Sequence, residues 1–208
     1  MKALLKKNLT SPQLRERTDI AFERYRIIAA QQAGSFRGIA YIGTEKVLSI
    51  EGDSQEAVVE TLQTMLMDRV KSLRDNRCSG LPGAMELFEV LIFAGQRDVE
   101  RLQPILRCHA SFEDGIADFK GIAHRLRVGE AFVVNAYVSL ARKICQTLDC
   151  SPEDYSVPSG LTPVLAVLRP CEDVAGQFVG YALRDAFLEA LEMLEKRRPT
   201  LKLAAVRS

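Results

Sequence analysis

Apolar positions change their period along this chain, and each change marks an element. Between Arg24 and Glu51 three short runs alternate apolar and polar side chains: Arg24 to Gln31, Phe36 to Ile42 and Lys46 to Glu51. Tyr25, Ile27 and Ala29 share one side of the first run, and Phe36, Gly38 and Ala40 one side of the second, as a strand's period of two requires. Ala33-Gly34-Ser35 and Gly43-Thr44-Glu45 separate the runs at hairpin length, which predicts a three-stranded antiparallel meander. Ahead of it, Thr10-Ser11-Pro12 is a helix-start signal and predicts a short helix ending near Phe22. Behind it, Gly52-Asp53-Ser54 breaks the third strand, Asp53 and Glu56 match a capping pair, and Val59, Leu62, Leu66, Val70 and Leu73 recur at helical spacing. The expected first domain is a small α/β unit over residues 1–80, a meander with flanking helices suited to dimerisation or partner binding.

Residues 76 to 84 collect Asn, Ser, Pro and Gly and read as a linker. Beyond it the helical period dominates. The apolar run Met85 to Ala94 carries Glu86 and Glu89 and is only about 10 residues long, the length of a core helix rather than a membrane span. A helix from Asp98 to His109 with Pro104 near a turn or kink follows. The segment FKGIAHRLRVGEAFVVNAYVSLARKI, from Phe119 to Ile144, then reads as helix, tight turn at Arg127-Val128-Gly129, and longer helix. On that second helix Val133, Tyr137 and Leu140 fall at core spacing, while Asn135, Ser139, Arg142 and Gln146 share a polar stripe with Lys143 beside it. Two β-like segments, Thr162 to Leu168 and Gln177 to Leu183, predict a hairpin, and Phe187, Leu188, Leu191 and Leu194 against Glu189, Glu192 and Glu195 predict a helix from Arg184 to Arg198. The expected fold class is α+β, with a mostly helical second domain over residues 81–208 built from a helix-turn-helix, a hairpin wing and a C-terminal helix.

Three resemblances attach to these segments. The run RYRIIAAQQAGSFRGIAYIGTEKVLSIEGDSQEAVVETL resembles the partial RNase H-like domain of HicB-type antitoxins, in which three strands lead through a Gly-Asp/Ser boundary into a helix. It covers about a fifth of the chain and implies a protein partner, such as a toxin, for the first domain. The same order resembles a double-stranded RNA-binding domain, but that family's second helix begins with a Lys-Lys pair where this chain has Ser54-Gln55-Glu56, which sets a carboxylate where phosphate would sit. Phe119 to Ile144 resembles the helix-turn-helix of bacterial transcription regulators: Ala123 stands where the helices pack closely and Val128 at the apolar anchor of the turn. Arg127 occupies the turn position where that family usually has Gly, and Gly129 the place of a Ser or Thr cap. A hairpin after the second helix is the order of a winged helix. The resemblance implies DNA as partner and a homodimer, with Lys120, Arg125, Arg127 and Lys143 near phosphates, Asn135, Ser139 and Arg142 near base edges, and Glu130 helping to set register. The hairpin tip, with Arg169 but also Glu172 and Asp173, is a poor phosphate probe.

Composition narrows this picture. With 208 residues, 47% hydrophobic and 26% charged, the chain is that of a folded protein. Lys and Arg total 28 against 27 Asp and Glu, and the net charge of +1 excludes uniform coating of nucleic acid, yet Lys120 to Lys143 carries +4. Five irregularly spaced Cys do not form a secreted disulfide framework and indicate a reducing, cytoplasmic setting, and no apolar stretch follows Lys2, Lys6 and Lys7 that would make a leader or membrane anchor.

Catalytic chemistry is poorly represented. His109 and His124 are the only histidines, and Cys108 beside His109 would point about 100° away on a helix. Cys145 and Cys150 lack a CxxC or HxxxH companion for a metal, no phosphate loop is present, and Glu51 and Asp53 lack a third carboxylate. No catalytic residue, metal or cofactor is expected. The sequence reads as a DNA-binding transcriptional regulator or antitoxin-like repressor. The alternative is a non-enzymatic assembly protein whose helix-turn-helix-like segment is structural, which Phe132, Val134 and Val138 favour; an RNA-binding module or a nuclease-like N-terminal domain comes third.

Overall fold

The N-terminal sheet has four strands, not three. The computed structural model describes residues 17–32, 34–94, 96–152 and 160–197. In it β1 (Arg17–Phe22), β2 (Tyr25–Gln32), β3 (Ser35–Ile42) and β4 (Glu45–Gly52) form an antiparallel sheet in chain order. The helix expected to end near Phe22 is instead β1 over its described part, and Thr10 to Glu16 lie outside the described residues. Over Arg17–Phe22 strand pairing prevails: Ile20 stands opposite Ile27, and the Asp19 carboxylate takes the guanidinium of Arg26 as well as that of Arg17. A two-residue turn joins the strands, with Glu23 at φ 52. The first unit is therefore a four-stranded meander with a helix after it, rather than a three-stranded one with helices on both sides.

That helix, α1 (Gln55–Asp75), starts at Ser54, whose hydroxyl accepts the Ala57 amide at 3.1 Å. The cap is thus one residue beyond Asp53. Val58, Leu62 and Leu66 are buried with Tyr25, Ile27, Ala29, Ala40 and Ile42, the side of the sheet that the alternation marks as apolar. The helix is seated on bare backbone at Gly38, where a Cβ would lie 2.3 Å from Val58 Cγ1 and 2.7 Å from Leu62 Cδ1. Gln55 adds a hydrogen bond to the Thr18 hydroxyl in β1.

The chain divides into two compact units, residues 1–66 and 67–208, which meet within α1; the linker-like residues 76–83 lie inside the second. That unit contains α2 (Ala84–Ala94), α3 (Gln96–Ala110), β5 (Ile116–Ala117), α4 (Phe119–Leu126), α5 (Glu130–Leu148), β6 (Leu168–Glu172), β7 (Phe178–Leu183) and α6 (Asp185–Arg197). Its strands form a three-stranded sheet in the order β5-β7-β6, so the expected lone hairpin gains a partner. β5 approaches β7 at Gly180, where a Cβ would meet the Ala117 carbonyl carbon at 2.8 Å. The segment read as the first hairpin strand, Thr162 to Leu168, is mainly a 3-10 turn over Thr162–Ala166, and β6 begins only at Leu168. Val164 to Leu168 are all buried, without the alternation a half-exposed strand would show, and Pro163 sits at the start of the turn.

α2 packs on α6, burying Leu87, Val90 and Leu91 with Phe187, Ala190 and Leu194. Its two acidic residues are buried as well, each 2% exposed, and each meets an arginine. Glu89 accepts from Arg69 at 2.8 Å, and Glu86 takes Arg77 Nε and Nη2 at 3.0 and 2.8 Å. Arg77 then spends a further donor on the Leu148 carbonyl at 2.6 Å, so one guanidinium ties α2 to the end of α5. Among the described residues no helix is long and apolar enough to cross a membrane.

Gly38→Val is expected to lower stability by about 1–3 kcal/mol, because the added methyls must displace Val58 and Leu62. Urea denaturation followed by circular dichroism measures this, and an unchanged midpoint would show that α1 is not seated on Gly38.

Candidate functional site

Local signals fix the two helices that carry the candidate site. Asp118 caps α4 by accepting the Gly121 amide at 2.6 Å. Arg127 ends α4 in the left-handed region at φ 57, and its amide together with that of Val128 closes the last turn on Ala123 and His124. Gly129, extended and without a side-chain cap, precedes α5, and Glu130 lies in its first turn where the helix dipole favours an acid. The turn therefore occupies residues 127–129.

α5 is held from inside by Val133, Tyr137, Leu140, Ala141, Ile144 and Leu148, all buried. Tyr137 also belongs to a buried polar chain. His109 of α3 is fully buried; its Nε2 is 2.8 Å from the Tyr181 carbonyl of β7 and its Nδ1 2.7 Å from the Tyr137 hydroxyl. A carbonyl only accepts, so Nε2 carries the proton and the Tyr137 O–H donates to Nδ1. Burial pushes the His109 pKa below its ordinary value, opposed by its hydrogen bond to Tyr181, and pushes that of Tyr137 up. Phe119 stacks on Tyr181 with ring centres 5.0 Å apart and tilts against Tyr137 at 5.8 Å. His109 is thus a structural group, engaged on both nitrogens. Cys108 points elsewhere, with its sulfur 3.9 Å from the Ile122 carbonyl.

With its inner face committed, α5 presents Asn135, Ser139, Arg142 and Gln146 outward, all exposed. Together with Phe132 and half-buried Lys143 they line a groove of about 1200 Å³ whose other wall is Arg101, Leu102 and Ile105 of α3. Asn135, Ser139, Arg142 and Lys143 are therefore brought together. Lys120, Arg127 and Glu130 are exposed but do not line this groove. Arg125 is engaged elsewhere: its Nη1 donates to the Ser111 carbonyl and hydroxyl at 3.0 and 2.9 Å, and its guanidinium lies 3.7 Å over the Phe112 ring. No family model, curated protein or solved structure matches this chain.

The α3 wall is the part of the groove that the sequence does not reveal. Arg101 carries the one hint available, a basic residue on the polar side of an amphipathic helix. Of the apolar residues on α5, Val138 is buried, Val134 half-buried, and Phe132 is 58% exposed at the groove's edge. The hairpin tip is closed by its own acid: Asp173 Oδ1 accepts the amides of Ala175 and Gln177 at 2.8 and 2.9 Å. Around it Val174, Phe178 and Val179 are exposed. The tip offers an acidic and apolar surface, unsuited to phosphate. Among the described residues no group of His, Cys, Asp and Glu could hold a metal ion.

Because the native state holds His109 neutral, the unfolded chain takes up its proton first as pH falls. Stability is expected to be full above the ordinary histidine value of 6.5 and to decline as pH drops from there toward the lower native value. Tyr137→Phe should cost about 1–3 kcal/mol by leaving Nδ1 without its donor. Denaturant titrations at pH 8 and pH 5.5 test both; equal stability of the parent protein at the two pH values would contradict the neutral-histidine assignment.

Proposed function

We propose that the second unit binds duplex DNA through α5 and that the protein is a cytoplasmic, dimeric transcriptional regulator. The observation that carries this reading is the exposed stripe of Asn135, Ser139 and Arg142 on a helix that follows a three-residue turn, with Lys143 and Arg101 at its sides. The order helix, strand, helix, helix, hairpin, with the first strand pairing beside the last, is that of winged-helix DNA-binding units. A helix of about 10–12 Å diameter fits a major groove about 12 Å wide. Arg142 and Asn135 are residue types that read guanine and adenine edges, and exposed Phe132 suits apolar contact with a thymine methyl. Lys143, Arg127 and Lys120 supply charge for phosphates, whereas Arg125, engaged with Ser111, contributes to packing.

Dimerisation follows from the small reading surface, since one short recognition helix seldom gives enough site length. The HicB-type resemblance adds a protein partner for the first unit, though it implies three strands where the sheet has four. A second reading, a protein-assembly module, is favoured by the exposed apolar side chains Phe132, Val174, Phe178 and Val179.

Fluorescence anisotropy with labelled genomic fragments at about 50 and 200 mM salt distinguishes the two readings. Binding is expected at low salt, and Arg142→Ala with Lys143→Ala should weaken it and reduce the slope of log K against log salt by about 1, the share of the Lys143 phosphate contact. Asn135→Ala should relax sequence preference by about 1–3 kcal/mol at one position. Absence of binding at low salt, or binding unaffected by the double substitution, would refute the assignment of α5 and favour the assembly reading.

A further inference from the structure

The C-terminal end of α5 is closed by a cap that brings two cysteines together. Asp149 takes the left-handed conformation at φ 48, and both its amide and that of Cys150, the latter at 3.0 Å, donate to the Cys145 carbonyl. The bond from Cys150 to Cys145 is the six-to-one bond of a Schellman cap, an arrangement that folds the residue after the turn back over the helix position that carries the accepting carbonyl. Both side chains are half-buried; the Cys145 thiol lies 4.0 Å from the Pro163 carbonyl, and the two thiols shift each other's titration.

The cap has a cation built beside it. Arg77 donates from Nη2 to the Leu148 carbonyl at 2.6 Å and from Nη1 to the Asp149 carbonyl at 3.4 Å, while Glu86 holds the same guanidinium from the other side. A helix C-terminus by itself disfavours a thiolate, and Arg77 offsets that field. We propose that Cys145 and Cys150 form a reactive dithiol site for hydroperoxides, in which Cys150 is oxidised first and Cys145 resolves it to a disulfide. The site stands independently of the DNA-binding reading.

The division of labour follows from the environment of each thiol. The Cys145 thiol lowers the pKa of Cys150, against burial, with Arg77 lowering it further and the Glu86 and Asp149 carboxylates raising it. The Cys150 thiol, with burial, raises that of Cys145. Cys150 is therefore the more readily ionised thiol of the two and Cys145 the less. In the first step the Cys150 thiolate attacks one peroxide oxygen; a sulfur–oxygen bond forms, the oxygen–oxygen bond breaks, and the departing alkoxide takes a proton to leave as an alcohol, or as water from hydrogen peroxide. In the second, Cys145 gives up its proton and attacks the Cys150 sulfur; the disulfide forms, the sulfur–oxygen bond breaks, and hydroxide leaves with that proton as water. Two thiols are oxidised by two electrons and one hydroperoxide is reduced by two.

The other cysteines serve as internal controls, because Cys78 is exposed, Cys171 half-buried and Cys108 buried. Reduced full-length protein is treated with stoichiometric hydrogen peroxide, alkylated and digested without reductant for mass spectrometry. The peptide carrying both Cys145 and Cys150 is expected two hydrogens lighter and unalkylated, while Cys78 remains free. Alkylation of Cys150 at pH 7 should be about tenfold faster than that of Cys78 and should slow toward it in Arg77→Leu. Because that substitution can unfold the chain, Cys145→Ser is the second variant: it should accumulate a sulfenic acid at Cys150 that dimedone traps. Oxidation appearing first at Cys78 or Cys171, or no dimedone adduct at Cys150 in Cys145→Ser, would overturn the proposal.

Discussion

The second unit depends on a neutral histidine. His109 is fully buried with both ring nitrogens engaged, and its partners come from 28 and 72 residues further along the chain. A phenylalanine there would fill space but would not specify which way α3 faces α5 and β7. The imidazole does, because Nε2–H needs an acceptor and bare Nδ1 needs a donor, and only one arrangement of Tyr181 and Tyr137 supplies both. Phe119 then closes over the two tyrosines, which seats α4 and fixes the angle at which α5 emerges from the turn.

A second buried polar node secures the C-terminal end of α5. Glu86 and Arg77 are almost wholly withdrawn from water, at 3% and 9% side-chain exposure, and such a pair repays its desolvation only when its remaining donors are used. Arg77 uses them on the carbonyls that the last turn of α5 leaves unpaired. Its guanidinium thereby caps a helix, balances a buried acid and sets a positive charge beside Cys150. One side chain joins packing to the reactivity of a thiol pair, and α5 is held by different chemistry at its middle and at its C-terminal end: neutral hydrogen bonds at Tyr137 and an ion pair at Leu148.

What could be read from the sequence is what local rules determine. The boundaries of α4 and α5 follow from residues adjacent in the chain, because the Arg127 turn and the apolar spacing of Val133, Tyr137 and Leu140 are local. The strand β1 was hidden by a competing start signal at Thr10-Ser11-Pro12, and its alternation over six residues is too short to outweigh that signal without its partner β2. β5 has two residues and exists only because Gly180 lets its backbone approach β7. The reading of Thr162 to Leu168 as a strand failed because a fully buried apolar run has no period to read. In the candidate site, the α5 stripe is a matter of spacing, whereas the α3 wall and the diversion of Arg125 to Ser111 and Phe112 depend on tertiary approach.

The same burial that makes α5 legible also limits what it can do. With Val133, Tyr137, Val138, Leu140, Ala141, Ile144 and Leu148 committed to the core, its outward surface narrows to roughly one residue per turn beyond the first. A surface that narrow cannot discriminate by area. On the proposed reading its selectivity would come from the directional chemistry of Asn135, Ser139 and Arg142, with Phe132 the only large apolar contact on the exposed side of the helix. A chain of net charge +1 likewise has little nonspecific attraction in reserve, so the DNA recognition proposed for α5 would draw on the local concentration of Arg101, Arg142 and Lys143 around one groove. Charge placement, rather than charge total, is therefore the quantity on which the proposed recognition would turn.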